Sequence, residues 1–330
     1  MPDFRMIDTG AARLRVAVEG SGPLIVMVHG FPESWYSWRH QMPVLANAGF
    51  TAAAIDVRGY GGSDKPAEVA AYSMEALTAD VAGVADALQP GAPAILLGHD
   101  WGEPIVWNTI LSRPERFRAV AALSVPFVGV AKRPFNETFR RAFTDKGRFF
   151  YQEWFAAVGP AEREAEADVR DFLRKFYYAI SGDAPPGTWP DKPAGATLLD
   201  GMVDPGTFPA WLSDADLDYY VAEFERSGFF GPLSRYRNHE RDWAWQQQFA
   251  DRRIEAPALF IGGSKDPATT GFGAMADPIA VMRPHVPNVE GHILDGVGHW
   301  TQQERPAEVN RLLLDWLARL PGLFSFSPSL

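Results

Sequence analysis

Ala94-Ile95-Leu96-Leu97-Gly98-His99-Asp100-Trp101-Gly102 runs from an apolar segment straight into a turn with glycine on both flanks, and residues 101–111 then read as a helix. A short continuous apolar run that ends at a turn predicts a strand buried on both faces. Small residues beside the turn leave space for a sharp reversal that thrusts the central side chain, Asp100, outward. Taken alone, Gly-x-Asp-x-Gly reads equally well as a helix N-cap in any α/β protein.

The same rhythm extends on both sides. Residues 12–18 alternate, and the apolar run 24–28 stops abruptly at His29-Gly30-Phe31-Pro32. Residues 51–55 form another apolar run, which leads into the glycine-rich turn 56–63 and a helical stretch over 73–88. Residues 119–124, 258–261 and 289–294 supply further strands, and 306–320 an amphipathic helix. Continuous apolar strands separated by helices predict a mostly parallel sheet covered on both faces, an α/β fold. From 130 to 248 the strand signal stops and aromatic and charged residues crowd together, as in Phe149-Phe150-Tyr151-Gln152-Glu153-Trp154-Phe155. The expected organisation is a core over 1–129 and 249–320, an inserted helical cap over 130–248, and an uninformative tail over 321–330.

Composition narrows the partners. The chain has 330 residues, 41 acidic against 31 basic, for a formal net charge of -10. That balance, without a Lys/Arg run, argues against nucleic acid and against an anionic membrane, and favours a small ligand. With no cysteine there is no disulfide, thiol nucleophile or thiolate metal site. The opening MPDFRMIDTG lacks a basic segment followed by an apolar one, so a cytoplasmic location is expected. Oligomeric state stays open, since no surface pattern reads as a symmetric interface.

Asp at the tip of the turn, where serine would serve an esterase, changes the chemistry. A carboxylate is nucleophilic at neutral pH without a base and can displace a leaving group at an sp3 carbon, giving an alkyl ester. Hydrolysing that ester needs a His-acid pair and backbone donors for an oxyanion. His299, in Gly296-Val297-Gly298-His299-Trp300, follows the last strand in a glycine-rich loop and is the expected base. Asp266, in Ser264-Lys265-Asp266-Pro267, follows the preceding strand and would orient it. His292 lies inside a strand pattern and reads as a core histidine, while His29 and His99 read as structural. The expected oxyanion donors are the amides of Phe31 and Trp101. Phe31, Trp35 and Trp101 are expected to contact an apolar substrate.

These motifs resemble the epoxide hydrolases of the α/β-hydrolase fold over nearly the whole chain. Phe150-Tyr151-Gln152 and Gly231-Pro232-Leu233-Ser234-Arg235-Tyr236-Arg237-Asn238 resemble that family's two cap tyrosine segments. The resemblance implies that Tyr151 and Tyr236 protonate the opened ring, that epoxide and water are the substrates, that no metal or organic cofactor takes part, and that Phe31-Pro32 is cis. Haloalkane dehalogenases resemble the chain in fold and Asp nucleophile, but usually carry Asn where Phe31 stands and lack the paired tyrosines. A catalytically silent binding protein on the same scaffold is the alternative of another class. Glu103 departs from the family, which usually has a small residue there.

Overall fold

The computed structural model describes residues 2–271, 273 and 275–323; within the expected tail, 324–330 lie outside the described residues. Eight strands form one sheet: β1 (Asp3–Asp8), β2 (Arg13–Gly20), β3 (Leu24–Val28), β4 (Thr51–Ile55), β5 (Ala94–His99), β6 (Phe117–Leu123), β7 (Ala258–Gly263) and β8 (Val289–Leu294). Their order is β1-β2-β4-β3-β5-β6-β7-β8, with β1, β2 and β4 joined antiparallel and the remaining pairs parallel.

Alternation along the inner strands feeds two cores. Leu24, Val26 and Val28 of β3 and Leu96 of β5 face one cluster, Ile25, Met27, Ile95 and Leu97 the other. The first is closed by α2 (Met74–Leu88) and α3 (Gly102–Ser112), the second by α1 (Met42–Asn47) and the C-terminal helix Pro306–Leu317. Each fully buried Val, Leu or Ile in these strands contributes roughly 1.5–3 kcal/mol, so a polar residue in either face would be costly. The Ser73 side chain accepts from Ala76 N and caps α2 where the helical pattern begins.

Between β6 and β7 the α-helices are α4 (Phe135–Ala142), α5 (Tyr151–Ala156), α6 (Pro160–Ala167), α7 (Val169–Ala179), α8 (Asp214–Ser227), α9 (Phe230–Ser234) and α10 (His239–Gln246), with a long non-helical stretch over 180–213. After β7 follow α11 (Pro278–Met282), α12 (Thr301–Glu304) and the C-terminal helix, α13. The sheet register pairs Val28 with Gly98, His99 with Leu123, Leu123 with Ile261 and Gly263 with Leu294. The loops after the six parallel strands β3 to β8 therefore leave the same, C-terminal end of the sheet, and that end holds every predicted catalytic residue of the core.

The departure at Glu103 has a structural answer. Its side chain is fully buried near the start of α3, with one oxygen accepting from Val125 N just beyond β6 and Oε1 without a partner among the described residues. Burial pushes its carboxyl well above the usual range, and the nearby Asp266 and Asp100 push the same way, so it keeps its proton beyond the pH at which an ordinary glutamate ionises.

From about pH 4.5, where an unfolded glutamate ionises, the native state keeps a proton that the unfolded state has lost. Unfolding free energy should fall by about 1.4 kcal/mol per pH unit until the native group ionises too. Urea denaturation at several pH values should show Glu103→Gln gaining stability relative to the parent as pH rises; parallel curves would mean that Glu103 is charged in the native protein.

Candidate active site

The turn after β5 puts Asp100 at φ 50°, a left-handed backbone that costs a non-glycine residue about 1 kcal/mol or more. The packing behind it enforces the turn. A Cβ on Gly102 would lie 2.0 Å from Val28 O, so only glycine lets α3 start this close to β3.

Thrust out of the turn, the Asp100 carboxylate is shared between two loops. Its Oδ1 accepts from Phe31 N at 2.7 Å, and its Oδ2 stands 3.1 Å from His299 Nε2. His299 Nδ1 is 3.0 Å from Asp266 Oδ1, so the imidazole bridges two carboxylates. Asp266 also accepts from Ala268 N at 2.8 Å and Thr269 Oγ1 at 2.9 Å. Burial pushes the Asp266 carboxyl up, but the His299 charge and these donors outweigh it and hold it below the usual carboxylate range. Burial pulls His299 down, while Asp266 and Asp100 together raise it well above an ordinary histidine. The two flanking carboxyl groups therefore favour the protonated form of the ring. The Phe31-Pro32 bond that presents the Phe31 amide is cis.

Tyr151, at the start of α5, and Tyr236, between α9 and α10, line one cavity of about 810 Å³ together with Asp100, His299 and Phe31. Their rings meet at a centroid distance of 6.0 Å, and Gln152 Nε2 donates to Tyr151 Oη at 2.9 Å. Burial, then the Asp100 charge, raises both phenols above the ordinary value, which keeps their protons on. Phe150, Phe176, Ile180 and Trp189 supply apolar wall, and the exposed Arg148, Asp191 and Lys265 mark the rim. Among the described residues no group of three or more His, Asp or Glu side chains converges as metal ligands would.

Three expectations need correction. Trp35 does not line this cavity: its Nε1 donates to Tyr219 Oη at 2.6 Å, and its ring packs against Phe4 and Tyr36. The Trp101 ring also lies outside it, edge-on to Tyr236 at 5.1 Å with the Arg235 guanidinium 4.4 Å over its face. Trp101 follows Asp100 directly at the N-terminal end of α3, which leaves its backbone amide as the remaining expected contribution. His292 is no core histidine: it is about one-third exposed on the edge strand β8 and pairs with Glu290 at 3.0 Å.

His99 and His29 are structural, as expected, but their partners were not foreseen. His99 Nε2 is 2.7 Å from His299 O, and its Nδ1 is 2.7 Å from the buried Glu33, which also accepts from Gly30 N at 2.9 Å. Burial raises the Glu33 carboxyl, yet the His99 charge wins and holds it at about 2. His29 Nε2 accepts from Val57 N at 3.1 Å. The only sequence signal for Glu33 is that it is the one carboxylate between His29 and Trp35.

Residues 23–181 match the family model described as the alpha/beta hydrolase fold. Epoxide hydrolase A of Mycobacterium tuberculosis is 42% identical, over 97% of this chain and 98% of that protein. Among solved structures, an epoxide hydrolase from an endophytic Streptomyces superposes with a TM-score of 0.91 at 46% identity, covering 96% of this chain and 95% of the other. Epoxide hydrolase A from Mycobacterium thermoresistibile gives 0.90 at 40% identity, covering 97% and 99%. With the Asp-His-Asp geometry, these likenesses assign the chain to the epoxide hydrolase family of the α/β-hydrolase fold.

Proposed function

We propose that this chain converts an apolar epoxide to a vicinal diol through a covalent ester on Asp100. The observation that carries the mechanism is the Asp100 carboxylate, held by the Phe31 amide and His299 in a cavity it shares with two phenols.

In the first half-reaction the Asp100 oxygen facing His299 attacks one ring carbon. The ring C–O bond breaks, and its electron pair stays on oxygen as an alkoxide that takes a proton from Tyr151 or Tyr236. The ester carbonyl oxygen remains on the Phe31 amide. Asp100 has now lost its charge, so His299 loses one of the two carboxylates that held its proton. The proton it releases balances the one the phenol donated, and neutral His299 can deprotonate water. Hydroxide adds to the ester carbonyl, the oxyanion rests on the Phe31 and Trp101 amides, and collapse expels the alkoxide, which takes the proton of the acid left on Asp100 and departs as the diol, restoring the carboxylate beside a protonated His299. Neither half calls for a metal or organic cofactor. Residues 130–248 act as the cap in this account, carrying the tyrosines, with 1–129 and 249–320 as the core. A cytoplasmic location belongs to the same proposal.

Incubation with styrene oxide and, separately, 1-bromobutane tests the activity. Diol without bromide, abolished in Asp100→Asn, is the expected outcome; bromide without diol would make the chain a dehalogenase. The two halves should also separate. His299→Gln should trap an ester visible as added mass on Asp100, whereas Tyr151→Phe and Tyr236→Phe should slow ester formation, the pair by roughly 10²–10⁴-fold. Acid pH should slow ester hydrolysis, which needs neutral His299, and leave ester formation unchanged while Asp100 stays ionised. Loss of ester formation in His299→Gln with both tyrosine variants fully active would contradict these roles.

A further inference from the structure

Beyond α7 the chain crosses the His299 loop at backbone distance. A Cβ on Gly298 would lie 2.2 Å from Gly182 N and 2.3 Å from Ser181 C, so the two segments meet only because both have glycine there. The crossing takes three peptide N–H groups into the interior without a strand or helix partner, and such groups are costly unless paired. One side chain accepts all three. Glu304, at the end of α12 and 6% exposed, takes Gly182 N and Gly298 N on Oε2, each at 2.9 Å, and Trp300 N on Oε1 at 3.1 Å. Burial raises its carboxyl, and the three N–H groups oppose that rise.

Other bonds run across the same seam. His299 N donates to Ile180 O at 2.8 Å, Trp300 Nε1 to Tyr177 O at 2.7 Å and Lys265 Nζ to Gly182 O at 2.6 Å. Among the described residues, Glu304 is the side chain that holds the peptide N–H groups on both sides of His299. Asp100 is aimed separately, by its own turn and the Phe31 amide.

We propose that Glu304 is a positioning residue for the second half-reaction, fixing His299 Nε2 over the ester carbonyl by holding Gly298 and Trp300 to the Gly182 segment. The inference rests on the Asp100 ester mechanism. Glu304→Gln keeps one acceptor and turns the other into a donor facing a peptide N–H. A displacement of about 1 Å at a reacting group can cost about 10²-fold.

Single-turnover reactions of the full chain with styrene oxide, quenched and weighed intact, follow ester formation and decay separately. Glu304→Gln should form the ester at the parental rate and hydrolyse it roughly 10- to 100-fold more slowly. Glu304→Asp, with the charge kept and the reach shortened, should fall between, and is read in its place if the amide variant does not fold. Hydrolysis at the parental rate, or both steps slowed by one common factor, would overturn the proposal. An ester absent even from His299→Gln would instead overturn the mechanism beneath it.

Discussion

One imidazole held between two carboxylates is the interaction on which the rest of the site depends. Asp266 and Asp100 stand on opposite sides of the His299 ring, at 3.0 and 3.1 Å, and their joint charge favours the protonated ring. A protonated histidine cannot act as a base, but the attack by Asp100 does not need one. In the proposed mechanism ester formation removes one of the two charges, so the first step itself creates the base for the second. Most of the polar architecture beneath the site serves that arrangement. Thr269 and Ala268 keep Asp266 ionised, and His99 and Ser124 hold the His299 carbonyl at 2.7 and 2.8 Å.

The sheet makes this possible by parallel register. Asp100, Asp266 and His299 are far apart in sequence, yet each follows a strand whose end aligns with its neighbour's. Helical chain enters between β6 and β7, and its residues Phe155, Phe176, Phe229 and Tyr236 pack around the Phe31 ring at centroid distances of 5.4 to 6.4 Å. Tyr177 Oη donates to Pro32 O at 2.5 Å, so α7 also braces the loop that carries the Phe31 amide. The insert thus forms cavity wall and fixes a core loop at once.

Much of this was legible because the signals are local. Strands β3, β4 and β8 fall at the residues where their apolar runs lie, and the turn flanked by Gly98 and Gly102 announces its geometry in five residues. Strand β1 was not legible. Five of its six residues are exposed, and an edge strand paired on one side carries little apolar pattern. The two tryptophans misled because aromatic residues near a catalytic turn are not thereby in its cavity: Trp35 found a partner 184 residues away in Tyr219. Glu33 and Glu304 were hidden, and Glu103 stood out without a visible partner, for a related reason. Each is a buried carboxylate justified by partners on other segments, and a sequence shows a carboxylate without the peptide N–H groups or histidine that it will meet.

The most direct test of the account is the fate of oxygen in a single turnover run in H₂¹⁸O with enzyme in excess over epoxide. If Asp100 is esterified and water attacks its carbonyl, the first diol released carries no label, because its new oxygen came from the carboxylate, and the peptide containing Asp100 becomes two mass units heavier. Labelled diol with an unlabelled Asp100 would mean that water opens the ring directly, and the ester mechanism would be wrong.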